Sequence, residues 1–154
     1  MTAIHIRRAT LGDAELLVEF NAAMALETEA KTLAPAVLRA GVARVLAEAA
    51  RGFYLIAECD GAIAGCLMIT YEWSDWRNGD WWWFQSVYVL PAFRRDGVFR
   101  ALFAEVQRMA QAAPNVVGLR LYVERENRRA QDTYAALGLA ETHYRLWERE
   151  FATL

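Results

Sequence analysis

The spacing of apolar and polar positions changes several times along the chain, and each change predicts an element. Ile4 and Ile6 alternate with polar neighbours and predict a short first strand ending at Arg7-Arg8. Thr10 with Asp13 three residues on reads as a helix start with a weak capping box, and Leu17, Phe20 and Met24 keep helical spacing to about Ala30. A second helix is expected from Pro35 to about Ala50. The period then falls to two. Phe53 to Glu58, a turn at Asp60-Gly61, and Ala62 to Trp73 predict an antiparallel hairpin, and residues 74–80, with Asn78-Gly79, a loop. Residues 81–90, WWWFQSVYVL, are apolar on both faces, as in a central strand covered on both sides, and Pro91 ends them. Helical spacing returns from Gly97 to about Ala112. It is followed by a strand at Val116 to Val123, a helix from Asn127 to Leu137 closed by Gly138, and a last strand from Leu139 to Arg149.

This order, β-α-α-β-β-β-α-β-α-β, predicts a mixed α/β fold on one largely antiparallel sheet. At 154 residues without repeats or linkers, the expectation is one domain over residues 1–154. Composition removes several function classes. Hydrophobic residues are 56% and charged residues 23%, which excludes a disordered chain. Seventeen basic and 19 acidic residues leave a net charge of −2, which argues against nucleic acid or an anionic membrane as partner. Uncharged runs such as Gly61 to Tyr71 are short of the ~18–20 residues of a membrane span, and the N-terminal alternation lacks the apolar core of a signal peptide. Cys59 and Cys66 fit neither a disulfide framework nor a metal site. With a two-residue turn Cys66 would face Leu55, so both are expected as free thiols in a reducing cytoplasm.

The candidate chemistry concentrates in Val87 to Leu102, VYVLPAFRRDGVFRAL: a buried strand, an exit at Pro91, a basic loop, then a helix starting near Gly97. A helix N-terminus offers amide donors and about half a positive charge, and a glycine there lets an anion approach the backbone. Arg94, Arg95 and Arg100 add positive charge, so the junction suits a phosphate or pyrophosphate. The plainer alternative is a solvated helix cap with incidental arginines. Neither G-x-x-x-x-G-K-[ST] nor G-x-G-x-x-G is present, which argues against a P-loop or a Rossmann dinucleotide site. Further on, Asn127, Ala130 and Tyr134 share one helix face, with a small residue between two polar ones. They read either as a ligand-facing stripe or as an N-cap and a core aromatic.

Together these segments resemble the GNAT superfamily of acetyl-CoA-dependent N-acetyltransferases. Arg94-Arg95-Asp96-Gly97-Val98-Phe99 after V-Y-V-L-P is similar to its motif [RQ]-x-x-G-x-[GA]. Asn127, Ala130, Tyr134 and Gly138 match N-x-x-A-x-x-x-Y-x-x-x-G. The strong likeness covers about Val87 to Leu139, and residues 65–89 also look like diamine acetyltransferases. The resemblance implies a six- to seven-stranded sheet with about four helices and two strands splayed into a V-shaped cofactor slot. It implies acetyl-CoA as cofactor, with the backbone of Val87, Tyr88 and Val89 along the pantetheine arm. The amides of Arg95 to Phe99, including Asp96, Gly97 and Val98, would hold the pyrophosphate, with Arg94 and Arg100 nearby. Asn127 and Ala130 would lie by the cofactor, and Tyr134 beside the thioester sulfur as general acid. A homodimer follows from family habit and apolar strand surface.

An alkylammonium acceptor is free amine in only about one molecule in 2,500 at pH 7, so deprotonation needs a base or a water chain. Relatives place a Glu where this chain has Gln85, which cannot accept a proton at neutral pH; Gln85 can still order a water. Glu72, Asp75 and Glu124 are the candidate bases. Phe99 also departs from the small residue of the motif and is expected to pack under its helix. The acceptor is expected to be a small-molecule amine, bound between the first two helices and an aromatic–acidic wall. That wall draws on Glu72, Trp73, Asp75 and Trp83 together with Trp76, Asp80, Trp81 and Trp82. Strand alternation puts at most half of the tryptophans of residues 81–90 on one side. Direct transfer of acetyl to a small amine leads. Acetylation of a protein or peptide, or a CoA-binding regulatory module without turnover, are the alternatives.

Overall fold

A computed structural model describes residues 3–151. The chain divides into two compact units, Met1–Tyr122 and Val123–Leu154.

The first unit is a five-stranded sheet in sequence order: β1 (Ile4–Arg8), β2 (Gly52–Cys59), β3 (Ala62–Ser74), β4 (Gly79–Val89) and β5 (Val116–Leu121). The first three pairings are antiparallel, and β4 with β5 is parallel. Helices α1 (Ala14–Glu29) and α2 (Pro35–Ala47) pack on one face, where Leu17, Val18, Phe20 and Val42 meet Tyr54, Ile56, Cys66 and Tyr88. Helix α3 (Val98–Ala112) lies on the other face and stacks Phe103 on Phe84 at 5.4 Å. Its buried row Val98, Leu102, Phe103, Val106 and Ala110 is the apolar spacing seen in the sequence. The entry to α1 is fixed by Asp13, whose carboxylate accepts from the Thr10 amide (2.7 Å) and from both Nη atoms of Arg7 (2.9 Å each). The Arg7 hydrogen bonds hold Asp13 down at a pKa of about 2.

Two expectations about β strands need correction. Cys66 stands opposite Ile56 rather than Leu55, because β3 carries a bulge at Ala64 that adds one residue to the ladder. Both cysteines are buried free thiols. The sheet has five strands where six to seven were expected. In the second unit, α4 (Arg128–Ala136) forms as predicted, but residues 139–149 have no ladder partner among the described residues and leave Tyr144, Leu146 and Trp147 exposed. Alternation sets a strand's propensity, but only a neighbour's hydrogen bonds make it a strand.

Candidate active site

Strands β4 and β5 start together and then part. Their ladder runs from Asp80 with Val116 to Phe84 with Leu121, whereas β4 continues to Val89. From Gln85 onward the β5-facing edge of β4 has no strand beside it among the described residues, so its main-chain groups, apart from the Val89 carbonyl that takes Arg94, can meet an extended ligand on that side. The same point carries a bulge: Ile69 pairs with Phe84 and Met68 with Ser86, so Gln85 is the extra residue. The bulge reverses the alternation. Trp83 and Tyr88 would face opposite sides of a regular strand. Here Trp81, Trp83, Ser86 and Tyr88 share the α1–α2 face, while Trp82, Phe84 and Val87 share the α3 face. Ser86, which the sequence reading passed over, has a buried hydroxyl with no hydrogen-bond partner. Such an orphan costs about 1–3 kcal/mol unless a water or ligand completes it.

Past Val89 the chain makes a 3-10 turn at Pro91–Phe93 and enters α3 through Gly97, whose φ of 83° suits glycine. No side chain caps the helix start, and a Cβ placed at Gly97 would meet nothing within 4 Å. This is an open, donor-lined end of a 15-residue helix. Arg95, with φ of 75°, and Asp96 are exposed in the loop, and Arg100 is exposed in the first turn of α3. Val98 is buried, and the half-buried Phe99 ring lies 6.1 Å from that of Phe103, one turn further along α3.

Arg94 has a more specific setting than a loose cation. Its Nε donates to the Val89 carbonyl (2.9 Å) and its Nη2 to Glu27 Oε2 (2.7 Å), while the Tyr88 hydroxyl donates to Glu27 Oε1 (3.1 Å). Glu27 thus ties the end of α1 to the end of β4, and its hydrogen bond from Arg94 holds its carboxyl below the usual range. Sequence reasoning missed Glu27, since nothing near it in the chain marks it.

In the second unit, Asn127 is the N-cap of α4, its Oδ1 accepting from the Ala130 amide at 3.1 Å. That leaves its Nδ2 as the group to offer a ligand. Ala130 and Tyr134 are half-buried, and burial pushes the Tyr134 phenol up, so it stays protonated at neutral pH. Glu124 is exposed in the loop before α4.

The expected acceptor wall is only partly brought together. Glu72 and Trp83 share the α1–α2 face. Trp73 does not: it pairs with Asp80 on the opposite face and is exposed. Asp75 lies in the β3–β4 turn, where it accepts from the Trp76 amide. Nor is the wall simply acidic. Glu72 is ion-paired with Arg120 of β5, and that guanidinium lies 3.9 Å from the centre of the Trp81 ring. Arg77 stands over the same ring at 5.2 Å, and the Trp83 ring lies tilted against Tyr122 with centroids 4.5 Å apart. Gly118, opposite Trp81, makes room for this arrangement, since a Cβ there would collide with the indole. The sequence shows the acids and tryptophans but not the arginine that reaches them across β4.

With this geometry in view, the comparisons with known proteins agree. The Acetyltransferase (GNAT) family profile matches residues 20–139, and the chain belongs to that family. A solved structure described as a possible acetyltransferase from Clostridium difficile 630 is 41% identical, covering 97% of this chain and 99% of its own, with a TM-score of 0.90. An aminoglycoside N-acetyltransferase in complex with CoA (21% identity, 99% and 97% covered, TM-score 0.78) shares the fold. So does a ribosomal-protein-alanine N-acetyltransferase from Brucella melitensis biovar Abortus 2308 (18% identity, 97% and 100% covered, TM-score 0.77). No curated protein matches by sequence.

Proposed function

We propose that this acetyltransferase moves an acetyl group from acetyl-CoA to the primary amine of a small-molecule acceptor by direct attack. The carrying observation is the parting of β4 and β5 over Gln85–Val89, which runs straight into the uncapped, glycine-led start of α3. An extended amide-bearing arm fits an open strand edge, and a diphosphate fits amide donors over open space, so the residues present suit CoA. When bound, acetyl-CoA would supply the activated acetyl group. The main chain of Val87 to Val89 would hold the arm and offer an N–H to developing negative charge. The amides of Arg95 to Phe99, with Arg100, would hold the diphosphate, and Glu27 keeps Arg94 and the loop in place. Tyr134, kept protonated by burial, would donate its phenolic proton to the departing sulfur.

Direct attack is favoured over an acyl-cysteine route because Cys66 is buried, which pushes its thiol up to about 12, and burial raises Cys59 as well. Gln85 cannot take the acceptor's proton and Glu72 is held by Arg120, so the proton would leave to solvent through a water held by the exposed Gln85 amide. The test is thiol release from acetyl-CoA across polyamines, aminoglycosides, amino acids and peptides. Turnover with a small amine is expected; CoA binding with silence across the set would mark a regulatory module instead.

A further inference from the structure

The α1–α2 face of the sheet carries a second feature that the transfer chemistry alone does not use. Arg120 uses Nη1 on Glu72 and its guanidinium carbon sits over the Trp81 ring; among the described residues its other N–H donors have no hydrogen-bond partner. The Glu72–Arg120 pair is half-exposed, with side-chain exposures of 48% and 28%, and such pairs hold a fold together only weakly. A guanidinium fixed against an indole, with its fork still open, is instead well suited to bind a carboxylate at two points. Along the same face, beyond Trp83 and its tilted ring neighbour Tyr122, lies the orphaned Ser86 hydroxyl at the bulge where β4 parts from β5. An unmet hydroxyl there matches an amine N–H.

We infer that the acceptor is an amine that also bears a carboxylate, with Arg120 holding the carboxylate and Ser86 Oγ receiving the amine. This rests on the acetyl-transfer reading above and names its substrate class. From Trp81 to Ser86 the strand rises about 13 Å, since the bulge adds a residue but little length, so a ligand touching both ends must carry its amine several carbons from its carboxylate. That span suits an ω-amino acid or a lysine-like side chain rather than an α-amino acid, whose two groups are adjacent. The aromatic floor of Trp81, Trp83 and Tyr122 would cover the connecting methylenes. A diamine would instead place its far ammonium against Arg120.

The test compares ε-aminocaproate, hexylamine and cadaverine as acceptors for the full chain with acetyl-CoA, and measures their binding to the CoA-loaded protein by calorimetry. The expected order puts ε-aminocaproate about ten-fold or more above the other two in kcat/KM, chiefly through KM. Arg120→Gln should collapse that ratio toward one, and Arg120→Lys, which keeps charge but not the fork, should leave part of it. Glu72→Gln, which frees the guanidinium, should lower the KM for ε-aminocaproate a few-fold. Equal use of the three, a preference for cadaverine, or a preference that survives Arg120→Gln would overturn the inference. If no amine is acetylated, the transfer reading fails separately. Calorimetry then decides: binding of ε-aminocaproate that Arg120→Gln removes upholds the carboxylate site, and absence of binding refutes it.

Discussion

At the start of α3 the working groups are main-chain amides, whereas on the face of Glu72, Trp81, Trp83 and Arg120 they are side chains drawn from three strands. The difference decides how each region responds to substitution. A main-chain site depends on backbone conformation, so only residues that change φ or fill its open space disturb it. A side-chain face depends on which residues the sheet register places together, so one added residue in a strand rearranges it.

The largest effect that would break this contrast involves neither region's scaffold. Tyr134→Phe should lower kcat by roughly 100-fold, the usual size for loss of a positioned proton donor, and change CoA affinity little. Parallel steady-state kinetics and CoA titration check this, and an unchanged kcat removes Tyr134 from proton transfer. Gly97→Val should weaken CoA binding by about 10-fold or more. A β-branched residue is strained at a φ of 83° and its side chain would enter the open space over the junction. The same strain should cost about 1–3 kcal/mol of stability, so affinity is measured where the variant is folded; intact affinity would mean that the amides there do not serve the cofactor. On the side-chain face, Gly118→Ala should lower stability by about 1–3 kcal/mol, because the new methyl meets the Trp81 ring. It should also shift acceptor KM more than CoA affinity; the reverse pattern would erase the distinction between the regions.

The last expected effect touches neither region and fades at low pH. Asp13 has a folded pKa of about 2 against an ordinary 3.8, set by Arg7. A depressed carboxylate contributes its stability above the unfolded value and loses it as pH falls from about 4 toward 2. Asp13→Asn should therefore cost roughly 2 kcal/mol in denaturant melts at pH 7 and much less near pH 2. A cost that is the same at both pH values would show that the fork to Arg7 is not its source.

The same contrast explains what the amino-acid pattern revealed. The strand–proline–loop–glycine–helix run at Val87 to Leu102 is local, and its turn, its glycine conformation and the Phe99–Phe103 contact follow from neighbours in the chain. Helix α4 and its Asn127 cap were legible for the same reason. The bulge at Gln85 was not, although two polar residues inside an apolar run mark it in retrospect. Without it, the sides taken by Trp83 and Tyr88 are wrong. Arg120 over Trp81, Glu72 bound to it, and Glu27 on Arg94 are pairings between residues 39, 48 and 67 positions apart, set by sheet register and helix docking. The last expected strand failed for the complementary reason: its alternation is present, but among the described residues no neighbouring strand hydrogen-bonds to it.

The most direct measurement is a crystal structure of the protein grown with CoA. The account predicts the diphosphate on the amides of Arg95 to Phe99 and the pantetheine arm along Gln85–Val89 of β4, where β5 has turned away. CoA bound elsewhere, with that strand edge and helix start left to solvent, would contradict it.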